Sequence, residues 1–159
     1  MLKTWFVVAA SASLLLVTVG CRDEGRIEAD RTSIKAVLDK YITSIEKEDI
    51  ELYGNIFMHD PNMVNFGTGA KERIVGWEPL RKVIVDQNAA LSETKIIQSN
   101  VTINVSLDGQ FAWATSLWDF KSTMEAQGMQ LPVRCSWVLE KQNKDWKIVH
   151  FHKSIGAAW

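Results

Sequence analysis

The stretch Asp145-Trp146-Lys147-Ile148-Val149-His150-Phe151-His152-Lys153-Ser154 decides how the chain is read. It follows a turn, Asn143-Lys144-Asp145, and its alternation predicts a strand. Trp146, Ile148, His150 and His152 would then share one face, with Val149, Phe151 and Lys153 on the other. Both faces are partly apolar, as expected of a strand in mid-sheet. Working towards the N-terminus, Leu131 to Lys141 reads as a second strand, entered after Gln127-Gly128. Gln110 to Glu125 is a third and longer one. One of its faces holds Phe111, Trp113, Thr115, Leu117 and Asp119; the other holds Ala112, Ala114, Ser116, Trp118 and Phe120. Leu107-Asp108-Gly109 makes a hairpin turn. It joins this strand to a fourth that begins at Thr94 and carries Ile97, Ser99, Val101, Ile103 and Val105 on one face.

Before Thr94 the period changes. From Asp30 to Glu48 the apolar residues Ile34, Val37, Leu38, Tyr41, Ile42 and Ile45 form one helical stripe, with Asp30 as a plausible N-cap and Thr32 as a second candidate. Asp49 can cap a short second helix containing Ile50, Leu52, Tyr53, Ile56 and Phe57, which His59-Asp60-Pro61-Asn62 stops. Met63 to Phe66 and Arg73 to Val75 read as short extended pieces around the turn Gly67-Thr68-Gly69. Trp77-Glu78-Pro79 opens a third helix, with proline in its tolerant first turn. The layout is α+β: three N-terminal helices packed on a strongly curved, mainly antiparallel sheet. Helices over the concave side would close a cone-shaped α+β barrel around an apolar cavity.

The chain has 159 residues, 47% of them apolar and 23% charged, with 18 Lys and Arg against 19 Asp and Glu. That suits one ordered domain and argues against a nucleic-acid partner, which would call for a basic face. Residues 1–20 carry Lys3 and then an apolar run from Trp5 to Val19, the pattern of a signal peptide and too short for a spanning helix. The junction Gly20-Cys21 resembles a lipoprotein signal, with Cys21 lipidated; Thr18 stands where that signal prefers Leu. The expected organisation is a signal peptide over 1–20, lipid attachment and tether over 21–29, and a domain over 30–157. The protein would then be exported and held to the cell envelope by its lipid alone. With Cys21 modified, Cys135 has no thiol partner and reads as a small core residue.

Three segments carry a family resemblance. They are Ile45-Glu46-Lys47-Glu48-Asp49-Ile50-Glu51; Asn65-Phe66-Gly67-Thr68-Gly69 with Val75-Gly76-Trp77-Glu78-Pro79-Leu80; and the closing strand with its His-x-His-x-Ser ending. Together they resemble the nuclear transport factor 2-like superfamily, nearest to the SnoaL-like domains and to the association domain of calcium/calmodulin-dependent kinase. The resemblance covers roughly residues 30–157 and implies the cone fold. It also implies pairing of two subunits through the convex sheet face. Activity does not follow from it, because members include isomerases, cyclases, dehydratases and assembly hubs.

The candidate site residues follow from both sources. His150 and His152 could transfer protons near neutral pH, bind a ligand, or be a structural pair; with His59 in a distant loop no third metal ligand is evident, and no metal or cofactor is expected. Arg134 sits in an otherwise apolar strand and needs a partner, which Asp119 or Glu125 could supply. In the kinase hub domains that the chain resembles, arginines on the matching strand and after His-x-His line an anion pocket. Arg134 stands at the first place and Lys153 at the second, while a third arginine has no counterpart in Ser116-Leu117-Trp118. Steroid-isomerase-like relatives imply a carboxylate base, for which Asp119 is the candidate, and a cavity tyrosine, for which Tyr53 is. Trp118 could line the cavity and Trp77 its rim. No phosphate-binding, nucleophile-elbow or CxxC motif is present. Three readings stay open: a binding module for a small organic ligand such as a carboxylate; a cofactor-free isomerase, hydratase or cyclase using His150 or His152; and an assembly module without ligand.

Overall fold

The computed structural model describes residues 24–69 and 71–156. Helix α1 spans Glu24–Glu46 and α2 spans Ile50–Ile56; strands β1 (Val64–Phe66) and β2 (Arg73–Val75) precede α3 (Trp77–Ala90). Four long strands follow: β3 (Leu91–Val105), β4 (Phe111–Met124), β5 (Gln127–Gln142) and β6 (Asp145–Ile155). The six strands form one mixed sheet in the order β2-β1-β6-β5-β4-β3, in which only the β1–β6 pair is parallel. The helices pack on its concave side, so the expected α+β cone is present. The sheet is open, with β2 and β3 as edges, and does not close into a barrel.

The helices form where the apolar stripes place them. Ile34, Val37, Leu38, Tyr41 and Ile45 are all buried under α1. Asp49 caps α2 by accepting from the Leu52 amide at 2.8 Å. Gly76 leads into α3 with φ 87° and ψ 162°, a conformation that only glycine holds comfortably. A Cβ there would also lie 2.9 Å from the Pro61 carbonyl oxygen.

Two boundaries differ from expectation. Asp30 is no N-cap: α1 starts at Glu24, so residues 24–29 of the expected tether are helix. Asp30 is instead a buried carboxylate that accepts from the Trp146 indole at 3.2 Å and from the Lys141 ammonium, fastening α1 to the β5–β6 hairpin. The turn between β4 and β5 falls at Glu125-Ala126, both with positive φ (49° and 64°). That is the backbone of a two-residue hairpin with the sheet's own twist, and Gln127-Gly128 accordingly lies in β5.

Register irregularities shape the sheet. In β3 the pairing with β4 shifts between Ser92 and Lys95 and between Ser99 and Thr102, where Glu93 and Asn100 take positive φ. In β6, Ile148 pairs with Leu139 and His150 with Val138, leaving Val149 as an extra residue. Each bulge bends its strand and turns every later side chain to the other face. Ile97 therefore points away from Val101, Ile103 and Val105 and is 60% exposed, while those three pack against the core. The two faces of β4 fall as the alternation predicts, with Ala112, Ala114, Ser116 and Trp118 buried and Phe111, Trp113 and Leu117 exposed.

Candidate functional site

The β6 bulge reassigns the residues that the alternation had grouped. Trp146 and Ile148 face the core, but after Val149 the inward positions are Phe151 and Lys153. His150 and His152 thus leave the face of Trp146 and Ile148 and stand on the outer face of the sheet. His150 Nδ1 donates to the Val64 carbonyl at 2.5 Å, so its ring serves to tie β6 to β1. His152 is exposed and faces an open groove of about 590 Å³ that Asn100, Thr115, Arg134, Ser136 and Ser154 also border. Arg134 is on this outer face too. It pairs with neither Asp119 nor Glu125; its guanidinium donates to the Ile155 carbonyl at 3.4 Å. Asp119, also on the outer face, accepts from Gln130 at 2.6 Å and lies 3.4 Å from the Lys121 ammonium.

The inner side is built from different groups. Tyr41 stands at its centre, with the rings of Tyr53, Phe57, Trp118, Trp137 and Phe151 between 5.4 and 6.1 Å from its own. These are separations at which aromatic rings attract. Trp77 closes the far end, stacked at 4.2 Å on His59, whose Nε2 lies 3.0 Å from the Gly54 carbonyl oxygen. Trp77 is therefore a core residue and not a rim. At the other end a void of about 110 Å³ remains, walled by Ile45, Trp118, Phe120, Leu131 and Val133, with Gln87 and Lys153 as polar groups. Thr68 and Lys153 border both this void and a groove outside it, beside Phe66 and Glu72, and so mark its mouth.

Electrostatics single out this inner side. Tyr41 and Tyr53 are fully buried; their hydroxyls interact with each other, and that of Tyr41 also with the Lys153 ammonium, but neither has a hydrogen-bond partner of normal geometry. A partner is likewise missing for the Trp118 and Trp137 indole nitrogens and for Asn65 Nδ2, whose Oδ1 accepts from the Phe151 amide. Burial pushes the Tyr41 hydroxyl above its ordinary range, and the ammonium of Lys153 draws it part of the way back. Tyr53 is pushed further up by burial, with Tyr41 beside it adding to the effect. The Cys135 thiol is pushed up to about 12 by burial, again opposed by Lys153. Lys153 is thus a cation that bears on Tyr41 and Cys135 and whose ammonium lies 5.1 Å above the Phe151 ring.

Of the residues expected at one site, the structure brings Trp118 and Lys153 to the void. Tyr53 lies behind Tyr41, and Arg134, His152, His150 and Asp119 are on the opposite face. Cys21 and the segment 1–20 lie outside the described residues. Tyr41 was legible only as part of the core stripe. Its signal was a hydroxyl at a position where the stripe asks for a pure hydrocarbon. Among the described residues no group of three His, Cys, Asp or Glu could hold a metal ion, and no helix is long and apolar enough to cross a membrane.

Comparisons place this geometry among known folds. A candidate dehydratase of the nuclear transport factor 2-like family from Streptomyces avermitilis superposes with a TM-score of 0.75 at 15% identity, over 83% of this chain and 99% of that one. A nuclear transport factor 2-like superfamily protein from Salmonella enterica serovar Typhimurium gives 0.75 at 23% identity, over 82% and 94%. A candidate calcium/calmodulin-dependent kinase II association domain from Xanthomonas campestris gives 0.67 at 17% identity, over 79% and 87%. At these identities the likeness speaks for fold and not for activity. No curated protein matches the sequence. The family model of the SnoaL-like domain matches residues 34–158, which takes in α1 from its first core residue through the whole of β6. The chain belongs to the SnoaL-like domain family.

Proposed function

We propose that the domain binds a small organic molecule on the concave side of its sheet, in the void beside Trp118 and Lys153. The observation that carries this reading is the void itself, walled by Trp118 and other apolar side chains with Lys153 at its mouth, in a core that holds polar groups short of hydrogen-bond partners. A buried donor without a partner costs about 1–3 kcal/mol. The Trp118 and Trp137 indoles and Asn65 Nδ2 together cost about 3–9 kcal/mol, a large share of the roughly 5–15 kcal/mol by which a domain is stable at all. A core selected for stability alone would carry phenylalanine in place of Tyr41 and Tyr53. The void's 110 Å³ approaches the ~150 Å³ of an apolar cavity that takes up benzene, which sets the scale of the guest. Binding at 100 times Kd would stabilise the fold by about 2.7 kcal/mol. The test is thermal denaturation with a panel of small aromatic and unsaturated compounds, beside Leu131→Trp, which fills the void. Stabilisation by some compounds in the parent and by none in the filled variant supports the reading. Equal responses in both proteins refute it.

A catalytic reading through His150 or His152 would need a substrate on the outer face, because neither imidazole borders the void. We also propose a homodimer formed through the outer face, supported by the exposure there of Ile97, Trp113 and Leu117. Export and lipidation at Cys21 are proposals from the leader sequence. Mass spectrometry of the mature N-terminus tests them, with an acylated peptide beginning at Cys21 as the expected product.

A further inference from the structure

We infer that one end of the domain, the end where the β3–β4 and β5–β6 hairpins turn, rests on the lipid bilayer that holds Cys21, with Leu107 in the bilayer interface. The inference rests on the proposed lipidation of Cys21 and goes beyond it by fixing which surface meets the membrane. Only Arg22 and Asp23 stand between Cys21 and Glu24, where α1 begins. Three residue steps reach about 10 Å even when fully extended. An acyl chain on Cys21 therefore keeps the start of α1 at the lipid headgroups, with no long tether to let the domain drift away.

Two hairpins lie at this same end. In the early turns of α1, Asp30 accepts from the Lys141 ammonium and the Trp146 indole, which flank the β5–β6 turn. The Lys141 amide donates to the Gln110 carbonyl at 2.8 Å and so brings the β3–β4 turn alongside. That turn is held by its own polar groups: the Gly109 amide donates to the Ser106 carbonyl at 2.9 Å and the Gln110 amide to the Asp108 carboxylate at 3.0 Å. Leu107 is displayed at its tip. It is 93% exposed, more than any other large apolar side chain among the described residues. Moving a leucine from water into an apolar phase is favoured by a factor of roughly ten or more. The charges nearby offset one another, with exposed Arg26 and Lys144 against exposed Glu24 and Asp145. The contact is therefore apolar in origin and suits a neutral lipid surface.

This orientation decides from where the void is filled. Helix α1 has 23 residues and so is about 34 Å long. Its far end carries Ile45, part of the void's wall, and Thr68 and Lys153 mark the mouth beside it. The mouth thus stands roughly 30 Å from the bilayer, and the guest enters from the water phase.

The test uses the acylated protein in phosphatidylcholine vesicles whose chains carry a nitroxide close to the headgroup. An environment-sensitive fluorophore is attached, in a Cys135→Ala background, at Leu107→Cys or Lys144→Cys on the hairpin end, and at Thr68→Cys or Gln127→Cys on the other. Quenching should be several-fold stronger at positions 107 and 144 than at 68 and 127, and should persist in high salt. Leu107→Ser should weaken the quenching of the label at 144. All four labelled positions are at the surface, and two at each end guard against a variant that fails to fold. Equal quenching at both ends, or none at 107 and 144, overturns the orientation, while an acyl group on Cys21 in the mass spectrum leaves lipidation standing. Strong quenching at 68 lays the mouth on the membrane and also overturns it. A mature chain without an acyl group on Cys21 overturns both.

Discussion

Replacing Tyr41 by phenylalanine should make the folded domain more stable, although Tyr41 is fully buried at the centre of the aromatic core. The substitution keeps the ring and its contacts with Tyr53, Phe57, Trp118, Trp137 and Phe151. It removes a fully buried hydroxyl that has no hydrogen-bond partner of normal geometry and interacts only loosely with the Tyr53 hydroxyl and the Lys153 ammonium. The desolvation of such a group costs about 1–3 kcal/mol. Part of that is recovered in the native chain by the attraction of the Lys153 ammonium, which also pulls down the hydroxyl's otherwise raised pKa. A net gain of about 1 kcal/mol follows, or roughly 3–5 °C in Tm for a domain of this size. Urea denaturation at pH 7 should show a higher midpoint with an unchanged slope, and affinity for a compound that stabilises the parent should weaken a few-fold. Gaining stability while losing binding is the mark of a group held for use and not for folding. A Tm lower by the same amount would mean that the hydroxyl is well bonded in the folded chain, and the reasoning from orphaned donors would fail.

Three further expectations follow from other parts of the structure. Asp30→Ala strands the Trp146 indole and the Lys141 ammonium and should cost about 2–3 kcal/mol by urea denaturation; a loss below 0.5 kcal/mol on the same scale would show that this tie is dispensable. Cys135 ionises near 9 when unfolded and about 12 when folded. The folded state therefore keeps a proton that the unfolded state releases: its contribution is intact below pH 9 and should be lost between pH 9 and 12, at up to about 1.4 kcal/mol per pH unit. Cys135→Ala should flatten that alkaline slope by about one proton. Double replacement of Trp113 and Leu117 by lysine should turn a dimer into a monomer by light scattering, since both side chains are about half exposed on the outer face; an unchanged mass would remove that face from the assembly.

Much of the fold was legible because its determinants are local. The stripe from Ile34 to Ile45, the Asp49 cap and the two faces of β4 follow from periodicity and capping alone, and each stands as read. The errors in assigning the faces of β3 and β6 share one cause. A bulge is a single residue whose effect is to invert everything after it, and strict alternation has no place for it. In β3 it separates Ile97 from Val101. In β6 it carries His150 and His152 outward and Lys153 inward, exchanging the expected site for another. A trace of the β6 bulge was present in the sequence: the large apolar residues Trp146, Ile148 and Phe151 step by two and then by three. Asp30 was misjudged for a related reason, since a carboxylate near a helix start looks like a cap whether or not a partner waits 111 residues away in Lys141.

The most direct test uses the indole resonances. In a 1H–15N spectrum assigned by substitution, titration with a compound that stabilises the domain should move the Trp118 Nε1–H signal saturably. The Trp113 signal, from the outer face, should stay in place, and the Trp118 response should disappear in Leu131→Trp, which fills the void. Movement of Trp113 with Trp118 unmoved would put the ligand on the wrong side of the sheet and contradict the inner site.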